Sequence, residues 1–138
     1  MTLTIASVRV GHHFPTYVTP PVVVRGELVD RAGRPVPGSA EERMIDRQVA
    51  LDLSRQIADT RIPAGGRARF VFRRRLDRAG LRFRGTVTVR PDKFYAGFFR
   101  SLLAVGAGGG TAQLREAQRV ALSSAFVIFE RDVPLTRE

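Results

Sequence analysis

Up to residue 89, apolar side chains recur at every second position in short runs, and proline or glycine cuts each run before it can lengthen. Period-2 patterning points one side chain in two toward a core, so these runs predict strands rather than helices. Leu3 and Ile5 lead into Val8 and Val10 with a change of phase, which predicts a strand over residues 2–10 carrying a bulge. Pro15, Pro20 and Pro21 forbid a continuous ladder, and Val22–Val29 is the second strand. Asp30-Arg31-Ala32-Gly33-Arg34 is turn chemistry, predicting a hairpin-like return. Residues 35–42 read as a polar loop. Ile45, Val49, Leu51 and Leu53 then alternate with Asp46, Gln48, Ala50 and Asp52, the clearest strand pattern in the chain, although a helix competes for the same residues. After the turn at Ile62-Pro63-Ala64-Gly65-Gly66, residues 67–76 place Phe70 and Phe72 on one face. Leu81, Phe83, Val87 and Val89 form a further strand with its phase broken at Gly85.

About six or seven short strands with such spacing predict a mainly β fold, an antiparallel, immunoglobulin-like sandwich. Beyond Val89 the period changes. Phe94, Tyr95, Phe98, Phe99, Leu102 and Leu103 follow helical spacing behind Asp92, an N-cap residue type, over residues 92–105. Gly106–Gly110 breaks that helix, and Thr111 caps a second over 111–123, with Leu114, Ala117, Ala121 and Leu122 inward. A last strand spans 125–132, and the helices are expected to pack on the sandwich. The 138 residues, 43% hydrophobic, suit a single domain with a real core.

The chain has no cysteine, which excludes disulfides, thiolate zinc, a thiol nucleophile and the Cys-x-x-Cys-His attachment of c-type haem. Its formal charge of +10 comes almost wholly from arginine, Lys93 being the only lysine. Guanidinium groups suit bidentate capture of carboxylate or phosphate, and an arginine-preferring genome gives the same bias without any partner. No apolar stretch approaches the ~20 residues needed to span a bilayer, and the first residues lack the layout of a signal peptide. A cytoplasmic location is expected if this is the full natural chain, and a periplasmic or extracellular one if it belongs to an exported parent.

With no thiolate present, His12 and His13 are the strongest metal or haem ligands in the sequence. Neighbours on an extended strand face opposite ways, so the pair does not converge on one ion, and a conventional zinc site needs about three or four ligands. His12 is the weak metal candidate; the alternative is that it hydrogen-bonds backbone carbonyls of the proline turn. Asp59 beside Arg61 has the form of an acid next to an activating cation, and equally of a turn cap with a local ion pair. No nucleophile elbow anchors a hydrolytic triad, and the glycines at 106–110 lack the Gly-Lys-Ser/Thr ending of a phosphate loop. Arg73, Arg74 and Arg75 alternate faces if they lie in a strand, with Arg67, Arg69, Arg82 and Arg84 extending the charge on neighbours. Phe94, Tyr95, Phe98 and Phe99 make an apolar arc broad enough to serve both core and partner.

Three segments occur in a familiar order: Gly11-His12-His13-Phe14-Pro15-Thr16-Tyr17-Val18-Thr19-Pro20, then Asp59-Thr60-Arg61-Ile62-Pro63 with Gly65, then Pro91-Asp92-Lys93-Phe94-Tyr95 with Phe98-Phe99. Together they resemble the non-haem, β-rich C-terminal region of bacterial multihaem cytochrome c proteins, over most of the chain. The absence of any haem-attachment motif or export signal departs from that pattern, so no haem is covalently bound. The resemblance implies an accessory module without catalysis of its own, set against a multihaem cytochrome or an adjoining haem-bearing domain. In that setting His12, with His13, contacts or ligates the partner's haem, and Arg61, Arg73, Arg75, Phe94, Tyr95, Phe98 and Phe99 form the interaction surface. Two other expectations stand beside it: a free-standing basic sandwich binding an anionic partner such as nucleic acid, and a small metal-dependent enzyme built on His12, His13 and Asp59.

Overall fold

Two eight-residue strands paired along their whole length build the centre of the protein, a computed structural model describing residues 1–75, 79–106 and 108–135. They are β2 (Val22–Val29) and β7 (Arg82–Val89), antiparallel with Val22 opposite Val89 and Val29 opposite Arg82. β3 (Glu41–Ile45) flanks β2 and β8 (Phe126–Pro134) flanks β7, giving a four-stranded antiparallel sheet ordered β3-β2-β7-β8. A two-stranded sheet of β1 (Thr2–Ala6) and β6 (Arg67–Val71) forms the facing layer, and β4 (Arg47–Val49) pairs with β5 (Gln56–Asp59). The fold is therefore mainly β and sandwich-like, with two helices toward the C-terminus, as the patterning predicts.

The core lies between the layers. Val22, Val24, Phe83, Val87 and Val89 from the large sheet meet Ile62 and Phe72, with Leu3, Ile5, Phe14, Ala68 and Phe70 packed against them. Burying such side chains stabilises the fold by about 1.5–3 kcal/mol each. The opposite face of the large sheet is a lattice of opposed charges: Arg25 pairs with Glu27 and Glu42, and Arg84 holds Asp132 through two bonds of 2.8 and 3.0 Å.

The helices α1 (Lys93–Val105) and α2 (Thr111–Ser123) are joined through a 3₁₀ turn at Gly108–Gly110 and pack chiefly on each other, burying Ala96 and Ala121. They form a hairpin inserted between β7 and β8. Its tie to the sheets is local: the Lys93 ammonium lies 3.9 Å from the buried Asp46 carboxylate, and Gly97 faces Leu51.

Several expectations need correction. β1 stops at Ala6, and the phase change at Val8 marks the chain leaving the ladder, with Arg9 at φ 59°, rather than a bulge. The alternation over 45–53 is not one strand. The chain changes partners at Asp46, whose amide donates to the Thr60 hydroxyl at 3.0 Å, and residues 50–53 turn with Leu51 and Leu53 exposed. Glu41 and Glu42, read as loop, already belong to β3. β6 ends at Val71, so Arg73–Arg75 do not alternate on a strand; Leu76 lies outside the described residues. Gly85 does not interrupt β7, whose every second residue from Phe83 to Val89 is buried. Asp92 makes no side-chain cap, and Thr111 is the first residue of α2, its hydroxyl donating to the Gly108 carbonyl. Leu122 faces solvent instead of the interior. Of the expected glycine break, Ala107 is outside the described residues.

Candidate interaction surface and histidine turn

Prolines dictate the local structure of the histidine segment, because none of them can donate to a ladder. Residues 8–20 therefore run as an irregular arm, with cis peptides before Pro15 and Pro20, pinned midway by reciprocal backbone bonds of 2.8 Å between Phe14 and Ile62. Phe14 and Ile62 enter the core there, and Ile62 is almost fully buried. Arg61 supplies the second pin. Its guanidinium grips Asp59 at 2.7 and 2.9 Å and donates to the Thr16 carbonyl at 2.9 Å. The Arg61 hydrogen bonds hold the Asp59 carboxyl down at about 2, and the nearby His13 acts in the same direction. The Arg61 side chain is only 14% exposed, so it braces the turn from within.

Within this frame both histidines are exposed. His12 Nδ1 lies 2.9 Å from the His13 carbonyl and 3.3 Å from the Thr16 hydroxyl. With Nδ1 donating to the carbonyl, Nε2 is the nitrogen left for a ligand, the arrangement common to histidines that coordinate metals. Among the described residues no three His, Asp or Glu side chains converge to hold a metal ion, and the Asp59 carboxylate is already engaged by Arg61. Of the three, His13 lies near enough to Asp59 to act on its charge, while His12 bonds to the His13 carbonyl and the Thr16 hydroxyl.

The other anticipated residues sit elsewhere. Tyr95 and Phe98 are exposed on α1, while Phe94 and Phe99 are half-buried, so the aromatic arc is divided between the interior and the surface. An open groove of about 740 Å³ runs between the helices, lined by Tyr95, Phe99, Ala117 and Val120. Arg73 and Arg75 are exposed beyond β6, and Arg67 and Arg69 line its outward face; none forms an ion pair with a described residue. Arg74, between them, is turned onto Glu41 and the Ser39 carbonyl.

Comparison with protein families, characterised proteins and solved structures finds no match to this chain.

Sequence reasoning missed two features. Asp46 is buried and shared by Gln48, Thr60 and Lys93, although alternation reads it as an outward residue; its signal is the change of strand partner, which periodicity does not carry. Phe126, Val127, Ile128 and Phe129, read as a closing strand, are all exposed at the sheet edge.

Proposed function

We propose that this protein is a non-catalytic interaction module of a multihaem c-type cytochrome electron-transfer system, docking on a haem-bearing chain and offering His12 to one of its haems. The observation that carries the module reading is the amount of large apolar side chain left at the surface. Tyr95, Phe98, Val120 and Leu122 stand out on the helical hairpin, a concentration typical of surfaces that are covered by a partner. The class of partner rests on the three motifs and their order, and the His12 geometry supports it, since a braced, exposed imidazole with Nδ1 engaged suits ligation from outside. Haem bound by the partner would supply the redox chemistry, and this chain's residues would hold one axial nitrogen and cover the porphyrin edge. Among the described residues no helix is long and apolar enough to cross a membrane.

The test is a visible spectrum of the protein isolated gently from its source with partners retained, wild type against His12→Ala and Phe98→Glu. A co-purifying Soret band that shifts in His12→Ala and is lost in Phe98→Glu supports the proposal. A colourless, folded protein under complex-preserving conditions overturns it.

A second reading is favoured by Arg67, Arg69, Arg73 and Arg75, which follow one another along the β6 side without carboxylates among the described residues to neutralise them. That strip suits an anionic partner such as nucleic acid, whose binding would fall steeply with salt.

A further inference from the structure

The two layers of the sandwich differ in width, and the mismatch leaves one strand's core face without a cover. In register, Phe126 lies beside Val89, Phe129 beside Val87 and Val133 beside Phe83, which puts all three on the face that the buried side chains of β7 share. Val87 and Val89 are 5% and 9% exposed, whereas Phe126 and Phe129 are 52% and 43% exposed. The difference is the facing layer. β1 and β6 cover β2 and β7, and no described strand lies beyond β1 to cover β8. What remains is a cleft of about 230 Å³, almost wholly apolar, walled by Leu3, Ile5 and Phe14 on one side and Val87, Ile128 and Phe129 on the other.

The rim of this cleft is a template for a strand. Among the described residues β1 pairs with β6 alone, and Met1 and Ser7 make their backbone bonds toward that side. By alternation the N–H and C=O groups of Thr2, Thr4 and Ala6 point the opposite way, toward the cleft. One extended segment set ~4.8 Å from β1 would satisfy them and lay alternate side chains over Phe126 and Phe129.

Charge selects the occupant. Arg131 is in register with Gly85, on the same face as Phe129, and is exposed with no ion pair to a described residue. Glu130 and Asp132 face the other side, where they lie within reach of Arg84. The chain as a whole carries +10, so a second copy would bring like charge to the cleft. We propose that the β1–β8 cleft receives an extended segment of a partner protein, in which apolar residues take the inward positions over Phe126 and Phe129 and an acidic residue takes the inward position that meets Arg131, adding as a strand to β1 and completing the second layer. This rests on the module reading above and names the chemistry of the segment received.

The probe is an eight-residue peptide of outward threonines alternating with inward residues that are valine except for one glutamate at the position meeting Arg131, with the same peptide carrying lysine there as control, titrated into the full chain and followed by amide NMR and hydrogen exchange. Saturable binding by the acidic peptide, with the Thr2, Thr4 and Ala6 amides protected at least tenfold, supports the proposal. Arg131→Glu is expected to weaken it tenfold or more while leaving the fold intact. Equal binding of both peptides, shifts confined to the helical hairpin, or no saturation at millimolar peptide overturns it. A concentration-dependent dimer whose Thr2, Thr4 and Ala6 amides are already protected also overturns it, in favour of a second copy. Because the peptide reports on the cleft alone, its failure leaves the hairpin and His12 tests to decide the cytochrome reading separately.

Discussion

Gly26 is where the core leaves least room, and Gly26→Ala is the sharpest test of how the layers meet. A methyl placed there would stand 2.5 and 2.8 Å from two atoms of the Phe72 ring and 2.7 Å from Phe83 Cζ. Carbon contacts settle near ~3.5–4.0 Å, so the overlap is about 1 Å against two rings at once. Neither ring has an easy retreat: Phe72 and Phe83 are 4% and 7% exposed and pack on each other with centroids 5.3 Å apart. Overpacking costs typically ~1–3 kcal/mol, and two confined rings put this case near 3 kcal/mol. With a urea slope of ~1–3 kcal/mol per M, the unfolding midpoint is expected to fall by about 1–3 M. Gly85→Ala is the control. Its methyl would meet Phe83 and Leu3 at 3.4 and 3.5 Å, ordinary contact, and is expected to change stability by less than ~1 kcal/mol. Phe72→Leu in the Gly26→Ala background should recover at least about 1 kcal/mol relative to the sum of the single changes. Equal midpoints for Gly26→Ala and Gly85→Ala would refute this account of the interlayer packing.

Because Arg61 holds the Asp59 carboxyl at about 2, below its unfolded value, the stability it contributes is complete above pH ~4 and lost as pH falls toward 2. Carbon-detected NMR titration should find its midpoint near 2, with Arg61→Gln moving it up toward the usual carboxylate range; a wild-type midpoint near 4 would contradict the brace. A double-mutant cycle on Arg84 and Asp132 is expected to give a coupling of about 1 kcal/mol, as their two-bond geometry is good and their exposure only partial. Ile62→Ala, at a position 2% exposed, should cost about 2–4 kcal/mol in chemical denaturation and speed exchange of the Phe14 amide, which bonds to its carbonyl.

Much of this fold was legible in residues that obey one rule along their length. Val22–Val29, a valine-rich run bounded by prolines and turn residues, and the helical spacing after Asp92 each answer to a single environment, so local sequence finds them. Asp46 and Gly85 escaped for opposite reasons. At Asp46 the alternation carries on through a change of strand partner, which is a tertiary event with no period of its own. At Gly85 a missing side chain looks like a break, while the backbone continues because Leu3 and Phe83 fill the space above it. The braces of the histidine turn were half visible: Asp59 beside Arg61 suggests an ion pair, but the reach of Arg61 to Thr16 spans distant segments. The exposure of Phe126–Phe129 was invisible, since a strand's own sequence does not say how wide the layer opposite it is.

Val89 and Phe126 are neighbours in the sheet although the whole helical hairpin separates them in the chain. The ladder therefore closes at the same two residues whatever lies between them, and a tight turn in place of residues 90–125 would leave the β2, β7 and β8 registers intact. Substitutions on the hairpin's outer surface are in that sense uncoupled from the sandwich. A lineage of such proteins is free to rewrite the insert while inheriting the same scaffold.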